Sequence, residues 1–204
     1  MNKIFFDIET VKGTVNINPD DLKAPSNYKS AEAIAKYQQA KAQEIEAKAG
    51  LNSFTAKICC IGYAVNNDPA KYIVGINEQE VLTKFADALE VEAVTWIGYN
   101  ILAFDLPFIY HRAIKYGLKG LKNMLPQDSR QYSYDVMKKI SPTDYASRVS
   151  LKDAALYFGL ENPKNKMSGA DVQSYYDAGR FDEIGQYCLM DVEITRNLYN
   201  LITK

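Results

Sequence analysis

Apolar and polar residues alternate near the start of the chain, over residues 4–10 (Ile-Phe-Phe-Asp-Ile-Glu-Thr). This period of two predicts a β-strand that directs three apolar side chains to one face and Asp7 and Glu9 to the other. Two carboxylates held side by side on a buried face repel each other and are poorly solvated, so a cation would stabilise them. A divalent metal ion, which prefers oxygen ligands, meets that need. A strand that simply runs out into solvent is the alternative.

Other stretches of the chain carry the patterns of further strands and helices. Apolar runs predict strands at 57–65, 71–74, 94–100 and 130–136. Amphipathic stretches predict helices at 30–48, 78–89, 106–116, 150–158 and 181–202, and a short helix that starts at Ser168. The predicted N-caps are Ser30 or Asn27, Asn77 and Ser150, and the glycines that end or separate helices are Gly117, Gly120, Gly159 and Gly179. A strand and a hairpin followed by alternating strands and helices indicate an α/β layer fold with a mixed sheet.

The polar segment from about residue 15 to residue 52 departs from this order. It contains Pro19 and Pro25, and its predicted helix is rich in Ala, Lys, Glu and Gln but has few apolar positions. We interpret it as a helical arm inserted into a single domain that spans residues 1–204.

Composition and charge narrow the classes of protein to which the chain can belong. The 204 residues are 47% hydrophobic, which is enough for a full core, and their formal net charge is −1. Residues 112–166 hold eleven basic and five acidic residues, a local charge of +6. Such a stretch either faces phosphates or forms an ordinary solvated surface.

Cysteine usage and hydropathy lead us to expect a cytoplasmic protein. Cys59, Cys60 and Cys188 are odd in number and indicate a reducing compartment, and we interpret them as small core residues. No apolar run is long enough to span a bilayer, and no basic leader followed by an apolar block stands at the N-terminus. The single histidine, His111, excludes histidine-rich zinc sites and is interpreted as an ordinary helix residue.

A second acidic position, Asp105, ends the motif that begins at Asn100 and includes Phe104. It stands where a predicted strand turns into a helix, at the kind of edge where ligands of α/β sheets gather. A helix N-cap is the alternative role for this side chain.

A third acidic position, Asp191, falls on the apolar stripe of the last predicted helix. That stripe comprises Phe181, Ile184, Cys188, Ile194, Leu198, Leu201 and Ile202. A charged carboxylate on a core-facing stripe costs several kcal/mol unless it is paired or metal-bound. Tyr187 lies one turn earlier on the same face. A buried arginine or a free backbone group is the alternative partner for Asp191.

Together these motifs resemble those of the DEDD superfamily of 3′–5′ exonucleases. The residues that carry the resemblance are D-x-E on a strand (residues 6–10), N-x-x-x-F-D at a strand-to-helix junction (98–108) and Y-x-x-x-D on a late helix (187–192). Gln186 stands where the histidine subclass has its histidine, and Tyr187 follows it, so the tyrosine subclass is indicated. The chain resembles in particular stand-alone exonucleases similar to the proofreading domain of family-B DNA polymerases. This resemblance implies a ribonuclease H-like three-layer fold, with a mixed central sheet and helices on both faces.

The resemblance also implies a catalytic set, composed of Asp7, Glu9, Asp105, Tyr187 and Asp191. The four acids would hold two divalent cations, and oxygen ligands favour Mg²⁺ or Mn²⁺. Asp7, Glu9 and Asp191 would hold the first cation. Asp7 would also bridge to the second, which Asp105 would reach largely through water. Tyr187 would orient the attacking water by a hydrogen bond.

By the same resemblance, four residues would contact the nucleic acid: Ile8, Thr10, Asn100 and Phe104. Each has an alternative role in the core or as a cap. A weaker match covers residues 164–169 and would place a phosphate at the helix N-terminus at Ser168. A charged surface turn is the alternative there.

The implied function is metal-dependent 3′–5′ hydrolysis of single-stranded DNA, which releases nucleoside 5′-monophosphates from the 3′ end. Two alternatives remain open: an RNA 3′–5′ exonuclease similar to ribonuclease D, and a non-catalytic ribonuclease H-like domain that binds nucleic acid. The 204 residues contain no polymerase region. An editing or DNA-repair role would therefore require a polymerase or another replication or repair partner.

Overall fold

A mixed sheet stands at the centre of the molecule. Its strands are β1 (Asn2–Lys12), β2 (Ala56–Val65), β3 (Lys71–Val74), β4 (Val94–Gly98) and β5 (Ser133–Asp135), in the order β3-β2-β1-β4-β5. Strand β1 is antiparallel to β2 and parallel to β4, β3 is antiparallel to β2, and β5 is parallel to β4. The computed structural model describes residues 2–14, 16–89, 94–126, 132–141, 149–160 and 167–204. The N-terminal strand is therefore the central strand of the sheet.

Helices cover both faces of this sheet. The α-helices of the described part of the chain are α1 (Ala31–Lys48), α2 (Glu78–Ala88), α3 (Asp105–Lys115), α4 (Lys119–Met124), α5 (Val136–Ile140), α6 (Leu151–Tyr157), α7 (Val172–Asp177) and α8 (Phe181–Ile202). Helices α2, α3 and α4 share a core with Ile4 and Phe6 of β1. Helices α5, α6 and α8 share a core with Phe5, on the opposite face. The predicted three-layer α/β fold is thus confirmed.

Strand β1 is held from both sides by these two cores. Ile4, Phe6 and Ile8 are almost fully buried on one face, and Phe6 packs edge-to-face against Trp96 with ring centroids 5.3 Å apart. Phe5 is buried on the other face and packs against Tyr199 at 5.3 Å. Each such side chain contributes about 1.5–3 kcal/mol by its burial. The acids in the second half of β1 are therefore presented by a rigid element.

Most of the predicted elements are confirmed. Ser30, Asn77 and Ser150 cap α1, α2 and α6 through their side chains, as expected. The last helix covers residues 181–202, and Gly179, in the left-handed region at φ +71°, separates it from α7. Among the described residues, none of the helices combines the length and the apolar character of a membrane-spanning segment.

Four details of the prediction are wrong. Gly120 lies inside α4, because Gly117 (φ +66°) alone ends α3 and a new helix begins at Lys119. Val136 starts α5 rather than ending a strand, since the Asp135 side chain caps that helix through Lys138 N. Strand β4 ends at Gly98. Leu201 is 42% exposed and so lies off the buried face of α8, which Leu198 and Tyr199 occupy in the same turn. Residues 130 and 131 of the predicted fourth strand lie outside the described residues.

A buried ion pair joins α2 to α3. Arg112 and Glu78 are each 3% exposed, and two guanidinium nitrogens of Arg112 donate to the two Glu78 carboxylate oxygens. The backbone N–H of Ile58 donates to Glu78 at 2.7 Å, and Arg112 also donates to the carbonyl of Ser53. Arg112, which belongs to the basic stretch at 112–166, is therefore buried in an ion pair and does not face phosphate.

Candidate active site

The carboxylates of Asp7 and Glu9 project from the second half of β1 toward α8. In the ladder with β2, Asp7 lies opposite Gly62 and Glu9 lies opposite Cys60. The register shifts immediately after Glu9, so a bulge interrupts the ladder there before the pairing resumes at Thr10. Glu9 is 8% exposed, whereas Asp7 is partly exposed. Both acids therefore lie on one side of a strand, as the alternation in the sequence predicts.

Helix α8 brings Tyr187, Cys188 and Asp191 against these acids, and a glycine allows the close approach. A Cβ atom on Gly62 would lie 2.9 Å from the Cys188 sulfur, which is closer than packed atoms approach, and 3.1 Å from Val192 Cγ2, which is a tight contact. The Gly62 N–H instead donates to Cys188 Sγ at 3.1 Å. The thiol in turn contacts the Asp7 carbonyl at 3.4 Å and Asp7 Oδ2 at 3.6 Å.

Asp105 enters the site from the other core. It is the first residue of α3 and is 2% exposed, and its Oδ1 accepts a hydrogen bond from the backbone N–H of Ile8 at 3.1 Å. Phe104, not Asp105, occupies the N-cap position of α3, and it makes no side-chain capping bond. The alternative role of Asp105 as an N-cap is therefore wrong.

The four carboxyl groups repel one another. Burial is the largest cause of the raised pKa at each of them, and it brings the pKa of Asp105 to about 7 and that of Asp191 to about 6. Repulsion by Asp105, Glu9 and Asp191 adds to burial in raising the pKa of Asp7 well above its usual value. Repulsion by Asp191 likewise adds to burial in raising the pKa of Glu9. Acids that are far apart in the chain thus converge in space.

The Tyr187 hydroxyl lies beside the Asp191 carboxylate. A hydrogen bond from this hydroxyl lowers the pKa of Asp191 and so partly offsets the effect of burial. Burial, and then repulsion by Asp191, Glu9 and Asp7, raise the pKa of Tyr187 far above its ordinary value. The phenol therefore keeps its proton at neutral pH and can donate a hydrogen bond.

This donor set fits a hard divalent cation. Within the part of the chain that the structure describes, none of the four acids forms an ion pair with a lysine or arginine. The buried Glu9 carboxylate accepts no hydrogen bond from the described residues. Buried carboxylates without a cationic partner are costly, and oxygen ligands suit Mg²⁺ or Mn²⁺. The tightest group, with ligand atoms within 4.8 Å of one another, is Asp7, Glu9 and Cys188; Asp105 and Asp191 lie further out.

The loop before α3 is held by an aspartate that the sequence motifs do not include. Asp135 is 3% exposed, and its two oxygens accept from the backbone N–H groups of Asn100 at 3.0 Å and Leu102 at 3.1 Å. Asn100 adopts a left-handed conformation with φ +63°. Its side-chain Oδ1 is buried and, among the described residues, is the one such atom without a hydrogen-bond partner. A buried acceptor of this kind calls for a donor from solvent or a ligand.

The other predicted substrate contacts have structural roles in the fold. The Ile8 side chain is buried in the core with Phe6, and the Thr10 hydroxyl donates to the Gly50 carbonyl at 2.6 Å. The Phe104 ring packs against Phe108 with centroids 5.0 Å apart, and it remains partly exposed. Contact of these residues with nucleic acid stays a prediction.

The predicted phosphate site at Ser168 is already filled by a side chain. The Asp171 carboxylate accepts from Ser168 N at 2.9 Å and from Ser168 Oγ at 2.7 Å. A phosphate would have to displace this carboxylate, so the charged-turn alternative fits better. Residues 164–166 lie outside the described residues. His111 Nδ1 is 2.7 Å from Ser53 Oγ, in keeping with its predicted ordinary role.

Sequence reasoning missed two residues of this region. Cys188 is fully buried, in agreement with its predicted place in the core, but its sulfur also lies among the acids. Its position on the stripe beside Asp191 was the available signal. Asp135 carried no signal except its place at the end of a predicted strand.

The mixed sheet with helices on both faces is a ribonuclease H-like fold, and within it four carboxylates and a tyrosine lie close together. Residues 57–202 match the family described as predicted 3′–5′ exonucleases related to the exonuclease domain of PolB, and the chain belongs to this family. The matched range contains Asp105, Tyr187 and Asp191, and it begins after Asp7 and Glu9. The resemblance inferred from the motifs is confirmed at the level of the family.

Individual relatives are viral and archaeal polymerases. The chain is 24% identical over 164 residues to the inferred DNA polymerase 060R of Frog virus 3 (isolate Goorha), covering 67% of this chain. It is 24% identical over 148 residues to a DNA polymerase of Red sea bream iridovirus, covering 61% of this chain. It spans 16% of the length of each. The structure of the family B DNA polymerase of Pyrobaculum calidifontis aligns with a TM-score of 0.66 and 18% identity, over 99% of this chain and 24% of that one.

Proposed function

We propose that the protein is a metal-dependent 3′–5′ exonuclease of the tyrosine subclass that shortens single-stranded DNA and releases nucleoside 5′-monophosphates. The observation that carries the proposal is the convergence of the four acids and Tyr187 around the second half of β1. Membership of an exonuclease family supports the same reaction class.

The acids would hold two Mg²⁺ or Mn²⁺ ions, Asp7, Glu9 and Asp191 at one position and Asp7 with Asp105 at the other. The chemistry supplied by such ions when bound is activation of a water and stabilisation of the leaving 3′ oxygen. Asp105 is oriented for this task by its bond from Ile8 N. The rigid strand β1 fixes the two acids that its pleat directs to the same side.

Tyr187 would donate a hydrogen bond that orients the attacking water. Its raised pKa makes it a poor general base at neutral pH, so its role is orientation rather than proton removal. The buried, unpaired Oδ1 of Asn100 would accept from a donor of the terminal nucleotide or its solvent. The partly exposed Phe104 ring would stack on a base, and stacking of this kind tolerates any base.

DNA is the proposed substrate because the two viral relatives are DNA polymerases. A net charge of −1 does not by itself attract a polyanion. Two divalent ions would cancel the charge of four carboxylates and so make the approach of a phosphate favourable.

The test compares single-stranded DNA and RNA of one sequence, each labelled at the 5′ end, in the presence of Mg²⁺ or Mn²⁺. The proposal predicts a ladder of shortened DNA that keeps its label, together with free nucleoside 5′-monophosphates. Asp7→Asn should abolish shortening, whereas the matched change Asp20→Asn in the exposed arm should not. Faster shortening of RNA would reverse the substrate, and binding without shortening would indicate a non-catalytic domain.

A further inference from the structure

The Cys188 thiol is a soft ligand placed among hard ones. Its sulfur and the carboxylate oxygens of Asp7 and Glu9 lie within 4.8 Å of one another. The sulfur is 3.6 Å from Asp7 Oδ2, and the residue has no exposed surface. Mg²⁺ and Mn²⁺ prefer oxygen ligands, whereas Zn²⁺ and Cd²⁺ readily bind thiolate sulfur.

We propose that Asp7, Glu9 and Cys188 form a binding site for a thiophilic divalent cation, Zn²⁺ or Cd²⁺, which inhibits the enzyme by occupying the position of a catalytic ion. The inhibitory part of the inference rests on the proposed exonuclease function. The binding part stands on the three side chains alone.

The separation of sulfur from oxygen suits such an ion. Zinc lies about 2.3 Å from a thiolate sulfur and about 2.1 Å from a carboxylate oxygen, so a tetrahedral angle separates the two ligand atoms by about 3.6 Å. The distance from Cys188 Sγ to Asp7 Oδ2 is 3.6 Å. The site therefore needs little rearrangement of α8 relative to β1.

The third ligand is available and points into the same space. Glu9 is 92% buried, since its exposed fraction is 8%, and no described residue donates a hydrogen bond to its carboxylate. A largely buried carboxylate that has neither a cationic partner nor a hydrogen-bond donor is poorly stabilised, and a bound cation would stabilise it. Glu9 thus supplies an observation that is independent of the thiol.

Burial, the neighbouring Cys60 thiol and the acids Asp7 and Glu9 raise the pKa of the Cys188 thiol well above its ordinary value, and a cation held by those acids would offset their repulsion. The Gly62 N–H already donates to Cys188 Sγ at 3.1 Å, and a hydrogen bond to sulfur stabilises its negative form. The thiol proton now points toward Asp7. On binding, the cation takes the place of that proton, which leaves to solvent, and no oxidant or reductant is involved.

The binding test is a titration of the metal-free protein with Cd²⁺, read from the ultraviolet charge-transfer absorption of a cadmium–thiolate bond. We expect the band to appear in the wild type and in Cys59→Ser, which removes a buried thiol outside the cluster. It should disappear in Cys188→Ser. A band that persists in Cys188→Ser, or that is absent from the folded wild type, overturns the inference.

A second variant keeps the test valid if Cys188→Ser does not fold. In Glu9→Gln all three thiols remain, and we expect the Cd²⁺ concentration at half-saturation to rise by about tenfold or more. An unchanged midpoint would contradict the site.

Inhibition is measured separately, as the Zn²⁺ concentration that halves Mg²⁺-dependent DNA shortening. It should rise by about tenfold or more in Cys188→Ser relative to Cys59→Ser, each variant being compared with its own uninhibited rate. Equal Zn²⁺ sensitivity of the two variants would refute the inhibitory role. A cadmium band without any nuclease activity would instead refute the proposed function and leave the binding site standing.

Discussion

The Asp105 carboxylate accepts a hydrogen bond at 3.1 Å from the backbone N–H of Ile8, which lies 97 residues earlier in the chain. This bond ties the start of α3 to the second half of β1. The two residues belong to different layers of the fold, so the bond fixes the distance between acids that the sequence separates widely. Asp105 therefore has two roles, as a negative charge and as a hydrogen-bond acceptor for Ile8, and different substitutions can remove one or both.

Asp105→Asn should keep the fold and lose activity. An asparagine oxygen can still accept from Ile8 N, but the charge that would help to hold a cation is gone, so we expect the rate to fall by at least about a hundredfold. Asp105→Ala also leaves the buried Ile8 N–H without a partner and should cost about 1–3 kcal/mol of stability. Chemical denaturation and DNA-shortening rates measure the two effects. Equal stability of the two variants would contradict the structural role.

Tyr187→Phe should slow the reaction without weakening metal binding. The ring remains packed while the hydroxyl beside Asp191 is lost, so only the orientation of the water suffers, by about 10–1,000-fold. Mn²⁺ affinity, measured by calorimetry, should stay within about twofold of the wild type, because the phenol is not one of the proposed ligands. A large loss of Mn²⁺ affinity would show that Tyr187 belongs to the metal site.

Stabilisation by Mn²⁺ should increase with pH. The pKa of Asp105 is raised from 3.8 to about 7 and that of Asp191 from 3.8 to about 6, so the folded protein retains protons that the unfolded chain has lost between these values. Metal-free stability should therefore fall as the pH rises from about 4 to about 7. Mn²⁺ competes with those protons, so the increase in Tm on adding Mn²⁺ should be larger at pH 8 than at pH 5.5. Thermal unfolding with and without EDTA checks the difference, and a shift that shrinks with pH would contradict it.

Gly62→Ala should disturb the site through packing. The added Cβ would lie 2.9 Å from Cys188 Sγ and would push α8 away from β2, at a cost of about 1–3 kcal/mol. Activity should fall with stability, since Tyr187 and Asp191 move with the helix. Gly120→Ala is the matched control, because nothing lies within 4 Å of its added Cβ inside α4. It should raise stability by about 0.5–1 kcal/mol, as both denaturation curves would reveal.

Elements with a local signal could be predicted from the sequence. The alternation around Asp7 and the stripe that holds Asp191 come from the periods of strand and helix, and these periods depend on neighbouring residues alone. Ser30 and Ser150 were predictable as caps for the same reason. The element boundaries that were predicted wrongly depend on side-chain contacts. Val136, for example, begins a helix because the Asp135 side chain caps it.

The contacts within the site could not be predicted in this way. Cys188 meets Asp7 only because β2 has a glycine at position 62, which lets α8 approach the sheet closely. Asp135, the last residue of β5, supports Asn100 just beyond the end of the adjacent strand β4, a relationship set by strand order rather than by spacing in the chain. Such contacts join residues that are distant in sequence, and no local pattern records them.

The proposed function depends on one cation site that Asp7 and Glu9 of β1 form with Asp191 of α8. The most direct measurement is anomalous diffraction from crystals of the protein grown or soaked in Mn²⁺. We expect a manganese peak bound by Asp7, Glu9 and Asp191 in the wild type, and no such peak in crystals of Asp7→Asn. Manganese bound only elsewhere, or none at the second half of β1 in well-ordered wild-type crystals, would contradict this expectation.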